Sequence, residues 1–150
     1  MKSKILIFIL VILIAIQFVP LDQTNPPIID DQEIEMPEDV KAIMKKSCYD
    51  CHSNETVWPA YSKIAPFSWL ISHDVDEGRG DINFSEWNKY SDEDKIDIFE
   101  EIWEEIEKDD MPLPYYTILH SEAEITPESK KILVDWFREM NIKEPKELKK

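Results

Sequence analysis

The chain is expected to fold as an all-α domain. Apolar residues recur at helical spacing in four separate segments, each segment opens on a proline or a capping residue, and no stretch of useful length alternates as a strand does. Composition agrees with this. Two glycines against ten prolines suit helices separated by stiff turns. A content of 43% hydrophobic residues, with five tryptophans, supplies a core despite the many charges. A length of 150 residues gives room for one domain and a targeting segment.

The amino terminus, MKSKILIFILVILIAIQFVP, sets Lys2 and Lys4 before an apolar run from Ile5 to Val19 broken only by Gln17. As a helix the run is roughly 22 Å long, at the short end for a hydrocarbon core of about 30 Å. No small-x-small pattern closes it, so residues 1–21 read as an uncleaved signal anchor in preference to a cleaved signal peptide. Lys2 and Lys4 then hold the amino terminus in the cytoplasm. The rest is expected outside the cytoplasmic membrane, on the periplasmic side. Residues 22–36, rich in proline and acids and without a period, read as a linker. Residues 37–143 read as the domain and 144–150 as a charged tail.

Within the domain the first helix starts at Pro37, carries Glu38 and Asp39 at its positive end, and stacks Val40, Ile43, Met44 and Ser47 on one face before Cys48. A second starts at Pro66, with a stripe of Phe67, Leu70, Ile71 and Val75, and is expected to stop at Gly78. Ser91 caps a third, with Asp92, Glu93 and Asp94 in the first turn and Phe99, Ile102, Trp103 and Ile106 facing inward. Thr126 and Pro127 open the fourth, which aligns Ile132, Leu133, Trp136, Phe137 and Met140.

A net charge of −15 repels phosphate backbones, which argues against nucleic acid as a partner; its counterpart is a protein with a basic surface, or simple solubility.

The chemistry is concentrated in KKSCYDCHSNETVWP, residues 45–59, which holds both cysteines of the chain and a histidine directly after the second. A thioredoxin-like disulfide wants its first cysteine at a helix amino terminus after a strand, whereas Cys48 follows a helix. Structural zinc wants four ligands, and there is no second cysteine pair. Covalent haem accounts for all five positions of the motif. Cys48 and Cys51 add to the two vinyl groups of one porphyrin, and His52 supplies the proximal iron ligand. For the distal position the candidates are Met111, just before a proline in DDMPLPYY, and the histidines His73 and His120.

CYDCHSNETVWPAYSKIAPFSWLISHDVDEGRGDINFSEW, followed by MPLPYYTILHSEAEIT, resembles the haem-binding domain family of small bacterial cytochrome c-type proteins. The resemblance covers roughly residues 25–141. It implies a cytochrome c-like helical domain around one haem c, with Cys48, Cys51 and His52 holding the group and Met111 as distal ligand. Trp58, Tyr61, Trp69 and Trp87 are expected as walls of the haem pocket, ahead of a reading as electron relays. Lys63 and Arg79 are expected to pair with the haem propionates.

These readings converge on a membrane-tethered, extracytoplasmic carrier of single electrons that docks with a basic redox partner, and no general base, activated nucleophile or phosphate loop points to an enzyme. The alternative is a haem-based sensor whose sixth coordination site is open or displaceable.

Overall fold

A computed structural model describes residues 2–29, 31–145 and 148. Its helices are α1 (Lys2–Ala15), α2 (Glu38–Ser47), α3 (Tyr49–His52), α4 (Phe67–Asp81), α5 (Asp92–Glu107), α6 (Pro114–Thr117) and α7 (Pro127–Glu139). Short 3-10 turns connect several of them, and there is no strand among the described residues. The fold is all-α, as expected.

The four helix starts fall at or one residue after the expected positions, two of them with side-chain caps. Pro37 and Pro66 are the residues before α2 and α4. At α5 the Ser91 hydroxyl accepts from the Asp94 N–H at 3.1 Å while the Asp94 carboxylate accepts from the Ser91 N–H at 3.2 Å, a reciprocal box that satisfies two otherwise orphaned donors. Thr126 accepts from the Ser129 N–H at the start of α7.

The core lies where α7 packs against α5 and α2. Phe99 meets Trp136 edge-on at 5.3 Å, and Trp103 stacks on Phe137 at 5.7 Å. Trp87 joins them through Phe99 at 4.8 Å, and Val40, Met44, Ile102, Ile106 and Leu133 fill the space between. Each of these large side chains contributes about 1.5–3 kcal/mol by leaving water.

Helix α4 departs from expectation in two ways. It runs through Gly78 to Asp81, and Gly78 does not adopt a positive φ. A Cβ at Gly78 would lie 2.8 Å from the Cys51 carbonyl oxygen, so the glycine is there for close approach of α4 to α3 and not as a stop. The buried face is also rotated from the predicted stripe. Of the predicted stripe Val75 is inside, together with Ser68 and Gly78, whereas Phe67 is 54% and Leu70 42% exposed. So close a backbone contact leaves room for small side chains and turns the large ones outward.

Helix α1 is apolar all round and exposed along its length. Its 14 residues make about 21 Å, and among the described residues no helix is long and apolar enough to cross a membrane. The chain beyond it is bonded to the body. Gln17 exchanges two hydrogen bonds with the Ala65 backbone, at 3.2 and 3.0 Å, and Gln23 donates to the Ser62 carbonyl and the Ser72 hydroxyl. Asn25 donates to the Thr56 carbonyl, Asn54 to that of Pro27, and Ile34 is buried in the core. The expected linker is thus laid against the domain. Of the expected charged tail, residues 144, 145 and 148 are described and the remainder lies outside the described residues.

Candidate functional site

The chain bends at Cys48, which closes α2 and opens α3 with φ −126°. Its N–H still donates to the Met44 carbonyl at 2.9 Å, and its own carbonyl accepts from the Cys51 and His52 N–H groups at 3.2 and 2.9 Å. One short turn therefore carries both cysteines and the histidine. Buried polar contacts fix the residues that follow. The Ser53 hydroxyl donates to the Tyr49 carbonyl at 2.7 Å, the Thr56 hydroxyl to the Asp50 carbonyl at 2.7 Å, and Asn83 to Asn54 at 2.8 Å.

His52 is held from behind. Its Nδ1 lies 2.8 Å from the Gly78 carbonyl and 3.3 Å from that of Ile82, and two carbonyls can only accept, so Nδ1 carries the proton. Nε2 is left with a free lone pair. Burial lowers the pKa of the ring and keeps it neutral, against the pull of these two hydrogen bonds. A neutral imidazole with an oriented N–H is the form that binds a metal. Cys48 and Cys51 are free thiols, both pushed up to about 12 by burial, with Asp74 and Asp50 adding to the effect at Cys51. They are protonated at neutral pH and unsuited to thiolate redox chemistry.

Two cavities, of about 390 and 580 Å³, share Cys48, His52, Asp81, Met111 and Pro112 in their walls. Both are of the size that holds an organic cofactor. The first is closed by Leu70, Ile71, Val75 and Leu113, the second by Phe84, Ile102, Ile106 and Ile125. Met111 follows the end of α5, where Asp109 turns the chain with φ 58°. It lines both cavities, as His52 does.

What holds the Met111 loop is a set of hydrogen bonds that the sequence did not announce. The Tyr116 hydroxyl donates to Asp50 Oδ2 at 2.6 Å, within the motif, and its neighbour Tyr115 donates to Asp74 on α4. The Tyr116 ring stacks on His120 at 4.3 Å, and Tyr61 lies 2.6 Å from His120 Nε2. Asp50 and the two tyrosines are positioning residues. Only the adjacency of Tyr115 and Tyr116 to Met-Pro could have drawn attention to them, and aromatic pairs are common in cores.

A family model described as a haem-binding domain matches residues 11–139. The chain belongs to this family. Neither a curated protein nor a solved structure matches it. Haem is accordingly the cofactor of this haem-binding domain, and the cleft fits it in three respects. The tautomer of His52 is fixed, two protonated thiols lie on the same turn, and the walls are mostly apolar.

Several expectations about the pocket need correction. Arg79 does not face the cleft. Its guanidinium donates to the Ser53 and Thr24 carbonyls, to Asn25 and to Thr56, at 2.7–3.1 Å, and clasps residues 24–25 to the chain after the motif. Lys63 is exposed and borders a separate hollow beside Gln17. Acids line the cleft instead, among them Asp74, Asp81, Glu101 and Glu105. The four expected aromatic walls also lie elsewhere. Trp87 belongs to the core, Trp58 bonds Asn25, Tyr61 bonds His120, and Trp69 lines neither cavity. Besides the acids, the walls come from aliphatic residues, Phe84 and the α6 residues Tyr115 and Tyr116.

Of the other distal candidates, His120 uses both ring nitrogens, on Tyr61 and on Glu122 at 3.2 Å, and lines neither cavity. His73 borders the first cavity but is largely exposed and lies 3.6 Å from Glu77.

Proposed function

We propose that this haem-binding domain is a membrane-associated, extracytoplasmic monohaem cytochrome of the c type that carries single electrons, with His52 and Met111 as the axial pair. The observation that carries the reading is the 2.8 Å contact from His52 Nδ1 to the Gly78 carbonyl, in a cleft that Met111 also lines. It leaves Nε2 as an unprotonated nitrogen donor beside two free thiols and a thioether.

A bound haem supplies one iron that gains or loses a single electron. Cys48 and Cys51 would hold the group, each supplying an S–H that can become a thioether with no net oxidation. Their high pKa keeps the thiols in this protonated form at neutral pH. His52 is oriented by the last turn of α4. Met111 is presented by a loop that Tyr115 and Tyr116 fasten to α4 and α3. Val75, Phe84 and Ile106 are buried and exclude water from their side of the cleft, and a dry site with a thioether ligand favours the reduced iron. Glu101 and Glu105 continue the acidic surface of α5 to the mouth of the second cavity, and a basic partner protein docks there in a salt-sensitive contact. Helix α1 associates with the membrane.

The test is export of the full chain in a host with haem-attachment machinery, followed by a haem stain, mass analysis and an optical spectrum. The reading expects one covalent macrocycle and an iron–sulfur charge-transfer band that disappears in Met111→Ala. Unstained protein from a competent host overturns it. High-spin iron that binds carbon monoxide in the unsubstituted protein replaces the carrier with a sensor.

A further inference from the structure

We infer that the domain itself, and not only α1, rests on a lipid surface, through one face built from the three longest acid-free stretches of the chain. The inference builds on the membrane association proposed above. The chain has 32 acidic residues, yet residues 1–21, 56–73 and 111–121 contain none. The fold fastens these three stretches together. Gln17 exchanges two hydrogen bonds with Ala65, and Tyr61 in the second stretch meets His120 in the third at 2.6 Å.

The same stretches hold nearly all the large apolar side chains left in water. Outside α1 and the residues just after it, Val57 is 73%, Ile64 57%, Phe67 54%, Ile118 79% and Leu119 62% exposed. Among the described residues, Ile28, Ile29 and Ile96 are the exposed large hydrophobics that lie elsewhere. A patch of this kind marks an interaction surface.

Charge selects lipid as the occupant. An anionic headgroup layer repels the acidic remainder of the molecule and tolerates only the acid-free face, where exposed Lys63 adds an attraction. Helix length points the same way. At about 21 Å, α1 is shorter than a hydrocarbon core of about 30 Å, and a short helix draws its flanking residues into the interface. The bonds from Gln17 to Ala65 bring Ile64 and Phe67 along with it. Leu70 and Tyr115, which border the first cavity, are also exposed, so that side of the cleft opens toward the membrane while Glu101 and Glu105 border the second cavity.

The experiment places the photo-crosslinking residue p-benzoylphenylalanine at position 10, 67, 96 or 118 of the full haem-loaded chain. Each variant is reconstituted in vesicles of phosphatidylcholine and phosphatidylglycerol, and lipid adducts are read by mass analysis. Adducts at 10, 67 and 118, with none at 96 on α5, are expected. Adducts at 10 alone overturn the inference and leave the membrane association of α1 intact; none at 10 removes that association as well. Adducts at all four positions show an unoriented domain, and crosslinks from 67 or 118 to a second chain show a dimer face; either result overturns the proposal. Amide exchange of the unsubstituted chain gives an independent reading, because residues 60–70 and 115–119 must exchange more slowly on vesicles than in detergent.

Discussion

Around α5 and α7 the interior is ring against ring, with Phe99 on Trp136, Trp103 on Phe137 and Trp87 on Phe99, and hardly a polar atom among them. Around α3 and α4 it is hydrogen bond after hydrogen bond, from His52 to Gly78, Tyr116 to Asp50, Tyr61 to His120 and Arg79 to four acceptors. Apolar contact is non-directional and tolerates small shifts, whereas hydrogen bonds fix angles to within a few tens of degrees. The half that must aim a ligand atom is built from the directional interaction, and the half that supplies stability from the cohesive one.

The largest effect is therefore expected in the aromatic half. Phe137 is wholly buried between Trp103, Trp136 and Phe99. Phe137→Ala should cost about 3–5 kcal/mol, as truncation of a core aromatic does. Urea unfolding should show this as a lower midpoint with the haem spectrum of the surviving folded fraction unchanged. A shifted spectrum in that fraction would mean that the two halves are not separable.

Tyr116→Phe tests the other half. It removes a hydrogen bond to a carboxylate, in the class of about 1.5–3 kcal/mol, but Asp50 keeps its second acceptance from the Val57 N–H at 2.9 Å. The loss should stay local. Amides of residues 112–120 should exchange faster while those of α5 and α7 hold their rates, and the iron–sulfur band proposed for Met111 should weaken. Uniform acceleration across the chain would contradict the division.

The division also explains what was legible in the sequence. Helices α5 and α7 begin right after their predicted caps, α2 and α4 one residue after the prolines expected to start them, and the stripes of α2, α5 and α7 are inside, because periodicity reports apolar burial directly. Of the α4 stripe Val75 is buried but Phe67 and Leu70 are exposed, since the buried face is chosen by backbone proximity to Cys51 more than by hydrophobicity. Cys48, Cys51 and His52 were legible as one cluster because they are near neighbours in the chain, and one short turn carries all three. Asp50, Tyr115 and Tyr116 were not, because a hydrogen bond across 66 residues leaves no local trace. Arg79 misled for a related reason. A cation near a motif looks like an anion partner until its backbone acceptors are seen.

Gly78→Ala probes the seam between the halves. The new Cβ would meet the Cys51 carbonyl oxygen at 2.8 Å and its Cβ at 3.1 Å, both atoms of a fixed turn, so α3 and α4 must part. Overpacking of this kind costs about 1–3 kcal/mol, and alanine's better helix propensity returns about 1. The net loss of stability is small. The proportionate loss in haem loading should be larger, since the Gly78 carbonyl also orients His52. Thermal melts and the haem-to-protein ratio of the exported variant separate the two.

The smallest effect is a pH slope. Burial holds the His52 pKa below its ordinary value of 6.5 in the folded chain, while an unfolded chain titrates near that value. Between the two, the unfolded chain binds a proton that the folded one refuses, so acid favours unfolding. In haem-free protein the contribution of His52 is therefore fully present above about 6.5 and drains away as pH falls through the folded value. His52→Gln keeps a side-chain donor for the Gly78 carbonyl and has nothing to titrate, so denaturant midpoints measured from pH 7.5 down to 5 should fall less steeply for the variant than for the native chain. Equal slopes would show that the imidazole gains its proton in place, with the cradle of two carbonyls stabilising the cation as much as burial penalises it.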